Sequence, residues 1–220
     1  MKDKTVYVCS NCGAEYSKWM GMCPKCGEYN TFVEEIRRRE TGTGQKMASK
    51  QARVLRLKAA KSGDGDRIVT GISEFDRVVG GGIVKDSVTI LSSPPGGGKS
   101  TLALAISNAA ACQGLNVLYA SGEESESQIK SRADRILGDI NPNVWLMADN
   151  SMDNVIKAAS KTEADMVIVD SIQTFSLSAF YPARAGNPTQ TMECAGELVN
   201  IAKNGQKPVA VIIIGQMNKS

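Results

Sequence analysis

The stretch of residues 88–101 constrains the fold of this chain more than any other part of its sequence. It reads VTILSSPPGGGKST, an apolar β-prone run followed by a proline- and glycine-rich turn, and the helix-prone residues 102–106 come next. Strand, glycine-rich loop and helix in this order form a P-loop, whose backbone N–H groups and helix N-terminus converge on phosphate oxygens. The alternative is a chance glycine-rich turn, and the spacing of Lys99 and Ser100 argues against it.

The residues of this loop have separate predicted tasks. Lys99 supplies positive charge to the β- and γ-phosphates, which gives it a catalytic role, and the Ser100 hydroxyl ligates Mg²⁺. The usual pattern opens with glycine where this chain has Ser93, so serine fits there only if its φ is negative or a strained conformer is tolerated. The predicted nucleotide-binding residues of the loop are Pro95, Gly96, Gly97, Gly98, Lys99, Ser100 and Thr101.

Composition excludes several classes of protein. The chain has 220 residues, enough for one full domain and a small module, and its net charge of +3 is too modest to indicate nucleic-acid binding. It contains no histidine, which excludes histidine-based catalysis and histidine metal ligands. No apolar run is long enough to span a membrane and the first residues are not a signal peptide, so we expect a cytoplasmic protein without a membrane partner.

Two Cys-x-x-Cys-Gly knuckles lie near the N-terminus, formed by Cys9 with Cys12 and by Cys23 with Cys26. Two such knuckles build a tetrahedral four-thiolate site that favours Zn²⁺ and has no open position for a substrate. The alternative, redox or disulfide pairs, fits a cytoplasmic chain less well. We therefore predict a structural zinc ribbon over residues 1–33.

Four aromatic residues of this segment are predicted to pack around the metal: Tyr16, Trp19, Tyr29 and Phe32. An exposed Trp19 or Tyr16 would instead be available for stacking on a nucleic-acid base.

Residues 34–66 form a basic, glycine-containing linker after the zinc ribbon. This linker either touches phosphate backbones or serves as a solvated tether.

Alternating strand and helix patterns fill residues 67–220 and predict an α/β core with a mostly parallel sheet. Three polar residues follow predicted strands and should meet at one edge of that sheet. Glu123 is the predicted catalytic base that orients or deprotonates water, with Glu124 near enough to help, although both acids could instead cap the next helix. Asp170 is predicted to hold Mg²⁺, and Gln216 to sense the γ-phosphate.

A long loop is predicted over residues 173–190, between the strand that ends at Asp170 and the next helix. It carries Phe180, Tyr181 and Arg184. Aromatic side chains beside an arginine suit single-stranded nucleic acid, through base stacking and phosphate contact. The alternative is a disordered loop.

Taken together, these motifs resemble the bacterial RadA (Sms) family over nearly the whole chain. The resemblance is carried by both cysteine knuckles with residues 18–22 (KWMGM) and 30–32 (NTF), by residues 70–72 (TGI), 76–77 (DR), 80–83 (GGGI), 121–125 (SGEES), 170–174 (DSIQT) and 193–195 (ECA).

The resemblance implies a RecA-like P-loop ATPase core preceded by a four-cysteine zinc ribbon. It further implies a hexameric ring that acts in homologous recombination and DNA repair beside a RecA-type recombinase. Such a ring uses ATP and Mg²⁺ to move along single-stranded or branched DNA and drive branch migration. Family members continue into a KNRFG motif and a Lon-protease-like domain, so we expect a chain truncated before them and a core incomplete at its C-terminus.

Two other functions remain open at this point. The chain could be a nucleotide-dependent DNA- or partner-binding module without turnover. A KaiC-like regulatory ATPase shares the P-loop and the paired glutamates but does not account for the zinc ribbon. Residues 215–219 (GQMNK) depart from the histidine-containing family pattern, and the glutamine at 216 is closer to RecA itself.

Overall fold

The structure is a computed structural model that describes residues 4–11, 14–37, 56–59, 67–205 and 207–216. The chain divides into two compact units, Met1–Ala60 and Lys61–Ser220. Cys12, most of the predicted linker and the residues after Gln216 lie outside the described residues.

The N-terminal unit contains a three-stranded antiparallel sheet in the order β2-β1-β3. Its strands are β1 (Lys4–Cys9), β2 (Glu15–Tyr16) and β3 (Phe32–Arg37), so the sheet continues beyond residue 33. Cys9, Cys23 and Phe32 form its buried cluster, and the Tyr16 ring meets Phe32 edge-on with ring centroids 5.5 Å apart. Cys9 and Cys23 are therefore part of the small core of this unit.

Two of the four predicted aromatic packing residues are exposed instead. Trp19 is 55% and Tyr29 is 70% exposed, whereas Tyr16 and Phe32 pack together. The prediction was therefore wrong for Trp19 and Tyr29, because a sheet this small cannot cover four large rings.

The C-terminal unit opens with the short pair β4 (Arg67–Ile68) and β5 (Ile83–Val84), which flank α1 (Ser73–Val78). Its centre is a five-stranded sheet in the order β6-β10-β9-β7-β8, in which every pairing is parallel. The alternating elements are β6 (Val88–Ser93), α2 (Lys99–Ala111), β7 (Val117–Ser121), α3 (Glu126–Leu137), β8 (Val144–Ala148), α4 (Met152–Lys161), β9 (Met166–Asp170), α5 (Pro188–Asn204) and β10 (Ala210–Gln216).

Helices cover both faces of this sheet. Residues of α2 and α3 join one apolar cluster, and residues of α4 and α5 join the other. Successive residues of β9 alternate between the clusters, with Ile168 in the first and Val169 in the second. A strand buried on both faces reads as a continuous apolar run, which explains the sequence of β9 and β10 and confirms the predicted α/β fold class.

In the described ranges, no helix has both the length and the apolar character that crossing a bilayer requires.

Candidate nucleotide-binding site and metal centre

The predicted phosphate loop lies between the end of β6 and the start of α2. Gly96 and Gly98 have φ of 79° and 75°, a conformation that side chains rarely adopt, and Gly98 is the N-cap of α2. Ser93 is the last residue of β6 and has extended backbone, so serine fits where the usual pattern has glycine. The first N–H groups of α2 follow directly, and such groups have no partner within their own helix.

Ser93 leaves no room for a side chain at Gly97 of the same loop. A Cβ at Gly97 would lie 2.3 Å from Ser93 Oγ and 3.1 Å from Pro94 O, so only glycine fits there. The Lys99 ammonium donates to Ser93 O at 2.8 Å and to Pro94 O at 3.2 Å, with Ser93 Oγ at 3.3 Å. Lys99 therefore contacts the backbone of the loop that is predicted to bind the phosphates.

The parallel register brings three other predicted residues to the same edge of the sheet. Gln216 is opposite Ser93, and Ser121 at the end of β7 is opposite Asp170. Glu123 Oε1 accepts a hydrogen bond from Gln216 Nε2 at 3.1 Å. Glu123 thus reaches past the end of β9 to β10, the neighbour of the P-loop strand.

Ser171 and Tyr119 complete this polar cluster, and sequence reasoning did not single out either of them. The Ser171 hydroxyl donates to the same Glu123 oxygen, and the Asp170–Ser171 peptide bond is cis. Asp170 is 8% exposed, and its Oδ2 accepts from the Tyr119 hydroxyl at 2.7 Å. A tyrosine inside an otherwise apolar strand was the available signal, because a buried phenol needs a hydrogen-bond partner.

The two neighbouring glutamates have different partners. Glu124 Oε1 pairs with Arg132 Nη2 of α3 at 2.5 Å. Neither acid caps α3, because Ser125 is its N-cap and forms a capping box with Gln128. The helix-capping alternative is therefore wrong, and Glu123 alone of the pair joins the polar cluster.

An open cleft of about 750 Å³ lies at the ends of β7 and β8, lined by residues 121–127 and 148–150. It borders Glu123, but β8 and the P-loop strand β6 are at opposite edges of the sheet. The cleft is therefore separate from the predicted phosphate site, the loop between β6 and α2.

The loop between β9 and α5 is closed by a buried glutamine. Gln190 is 1% exposed, and its side-chain oxygen accepts from Leu177 N at 2.8 Å. Its amide donates to Leu177 O at 3.1 Å and to Ala183 O at 2.9 Å, joining the two arms of the loop. Between Leu177 and Ala183, Tyr181 is 85% exposed and Phe180 packs against the core. Arg184, the residue after Ala183, is exposed. This geometry disfavours the disordered-loop alternative.

Three of the four knuckle cysteines come together at one point. Sγ atoms of Cys9, Cys23 and Cys26 lie within 4.8 Å of one another, and those of Cys9 and Cys26 are 3.7 Å apart. Four thiolates at about 2.3 Å from a tetrahedral zinc ion are separated by about 3.8 Å, so the cluster fits zinc. Two independent redox pairs would not require the knuckles to meet. Cys12, the predicted fourth ligand, lies outside the described residues.

Comparison with known proteins agrees with both units. Residues 7–34 match the family model described as rubredoxin metal binding domain, and residues 51–220 match the model described as AAA domain. The DNA repair protein RadA of Bacillus subtilis is 37% identical over 222 residues, which cover 99% of this chain and 48% of that protein. The chain belongs to the RadA family.

Other RadA proteins match to the same extent. The DNA repair protein RadA of Campylobacter jejuni is 36% identical over 221 residues, and that of Streptococcus pyogenes serotype M3 is 37% identical over 219 residues. Each alignment covers 99% of this chain and 48% or 47% of the relative. The chain therefore spans about half the length of the curated RadA relatives that it matches.

Proposed function

We propose that this chain is the ATP-hydrolysing core of a DNA repair protein. The observation that carries the proposal is the contact between Glu123 and Gln216, which joins the ends of β7 and β10 beside the P-loop strand. A carboxylate at this edge of a parallel sheet faces the region where phosphate ligands bind in such folds.

The residues of the loop would bind the nucleotide. Backbone N–H groups of residues 96–101 and the ammonium of Lys99 hold the phosphates, which requires Lys99 to exchange its hydrogen bonds to the loop carbonyls for phosphate oxygens. Ser100 and Asp170 provide oxygen ligands for Mg²⁺, a hard cation that prefers them. When bound, Mg²⁺ would neutralise charge on the phosphates.

Glu123 would act on the attacking water. Its Oε1 accepts from both Ser171 and Gln216, which fixes the carboxylate and directs its other oxygen to the water. Gln216 would sense the γ-phosphate through the hydrogen bond that it donates to Glu123, because any movement of Glu123 would alter this bond. This arrangement links the catalytic carboxylate to β10.

Hydrolysis of ATP by the purified chain, with and without single-stranded DNA, tests this function. We expect DNA-stimulated turnover, and we expect Lys99→Ala to lower kcat/KM by about 100-fold or more, because it removes the charge that meets the phosphates. The control is Lys157→Ala, which removes an exposed lysine of α4 that belongs to none of the proposed binding residues. Tight ATP binding without hydrolysis would support the alternative, a nucleotide-dependent binding module without turnover.

The finer proposals rest on the relatives named as DNA repair proteins. We propose that the chain works on single-stranded or branched DNA in homologous recombination, as a homo-hexamer beside a RecA-type recombinase, with movement along DNA driving branch migration. The zinc ion would be structural, because four thiolates leave no coordination position for a substrate.

We further propose that the loop held by Gln190 binds single-stranded DNA, because Tyr181 offers an exposed ring and Arg184 an exposed charge. Gln190→Leu is expected to weaken that binding about tenfold, since the two arms of the loop lose three hydrogen bonds and buried polar groups lose their partner. Fluorescence anisotropy with a labelled oligo-dT at fixed salt measures the affinity.

Thr189→Ala provides the matched control for the loop, because Thr189 is exposed and its side chain forms none of these three bonds. Equal affinities of Gln190→Leu and the unmodified chain, with both folded by circular dichroism, would contradict the role of this loop.

A further inference from the structure

Tyr119 is a large, fully buried side chain whose polar end meets the predicted metal ligand. It lies in the middle of β7 and is 1% exposed, within the apolar cluster that α2 and α3 cover. Its hydroxyl donates to Asp170 Oδ2 at 2.7 Å, and Asp170 is itself 8% exposed. The function proposed above assigns this tyrosine no task.

The register of the sheet explains why these two residues meet. Tyr119 is opposite Ile168 of β9, and Asp170 follows two residues later. Residues two apart in a strand project to the same face, so Asp170 is on the face of the sheet that α2 covers. The tyrosine side chain is long enough for its hydroxyl to reach the Asp170 carboxylate, two residues beyond Ile168 on β9.

This hydrogen bond restricts the carboxylate in a defined way. A carboxyl group rotates easily about its last torsion, and a donor fixed in a packed core selects one orientation. The bond engages Oδ2 and leaves Oδ1 as the oxygen available to a cation or to its bound water. The phenol O–H is the donor of this hydrogen bond and the carboxylate is its acceptor.

We propose that Tyr119 is a positioning residue that orients the Asp170 carboxylate for a divalent cation, an assignment that rests on the metal-dependent nucleotide hydrolysis proposed above. A partner of this kind acts on a ligand from outside the coordination sphere, and its removal commonly lowers metal affinity about 10- to 100-fold. The competing explanation is that Asp170 merely satisfies a core tyrosine, in which case loss of the hydroxyl would change stability but not metal binding.

Binding of Mn²⁺ and ADP to the chain distinguishes the two explanations without relying on turnover. Tyr119→Phe keeps the ring and its packing and removes only the hydroxyl. We expect the Mn²⁺ concentration at half-saturation, measured by electron paramagnetic resonance with ADP present, to rise about tenfold. The affinity for ADP in the presence of a chelator should not change. Tyr29→Phe, on the exposed surface of the other unit, is the matched control.

A double-mutant cycle with Asp170→Asn measures an effect on Mn²⁺ binding that a purely structural role of Tyr119 would not produce. If Tyr119 acts through Asp170, adding Tyr119→Phe to Asp170→Asn should change Mn²⁺ half-saturation by less than about twofold. Equal Mn²⁺ dependence in the unmodified chain and Tyr119→Phe would overturn the inference, as would independent effects of the two substitutions. If the unmodified chain binds no ADP with or without Mn²⁺, the proposed function fails as well, a result distinct from a defect confined to Tyr119→Phe.

Discussion

Glu123→Gln is expected to lower the rate of ATP hydrolysis about 100-fold or more while ATP affinity stays within about threefold. Glutamine has the size of glutamate and its side-chain oxygen still accepts from Gln216 Nε2, so the polar cluster at the sheet edge is preserved. It cannot accept a proton from water, and this loss falls on the chemical step alone. Phosphate release in single-turnover experiments measures that step, and equilibrium titration with a fluorescent ATP analogue measures binding.

Glu124→Gln is the matched control because the two glutamates are adjacent and their partners differ. Glu124 pairs with Arg132 of α3, and both side chains are only partly exposed. Glu124→Gln should change the single-turnover rate by no more than about threefold, which is the size of effect that the loss of one surface ion pair produces. Equal losses in the two variants would show that the negative charge of the region matters rather than Glu123 itself, and the assignment of the base would be abandoned.

The sequence predicted most of the α/β core because its signals are local. The apolar run before Asp170 and the glycines before Lys99 each specify their own strand or turn, and the structure has β9 and the loop before α2 at those positions. The convergence of Glu123 and Gln216 was also predictable in outline, since carboxyl ends of parallel strands share one edge.

Contacts that depend on register were not predictable from one sequence. The bond between Tyr119 and Asp170 requires β7 and β9 to be neighbours, although α3, β8 and α4 separate them along the chain. The same limit applies to Gln190, whose three bonds across the loop give no periodic signal. For Tyr119, a polar group within an apolar strand was the only signal in the sequence, whereas Gln190 stands between two threonines and gave none.

Cys23→Ser is expected to abolish zinc binding and to unfold the N-terminal unit while the C-terminal unit stays folded. The buried cluster of that unit consists of Cys9, Cys23 and Phe32 with a few partly buried neighbours, far too little apolar surface to hold a fold by itself. A structural zinc ion in such a small domain supplies on the order of 10 kcal/mol of folding free energy. The loss of one thiolate ligand therefore removes more folding free energy than the rest of the unit can supply.

Zinc content by mass spectrometry and limited proteolysis between residues 4 and 37 measure this effect. The unmodified chain should carry about one zinc ion per molecule, as a single site built from both knuckles requires. Cys112→Ser is the matched control, since Cys112 is an exposed thiol of the other unit and should leave zinc content unchanged. If Cys23→Ser retained both zinc and protection from protease, Cys23 would not be a ligand, and the 3.7 Å approach of Cys9 to Cys26 would need another cause.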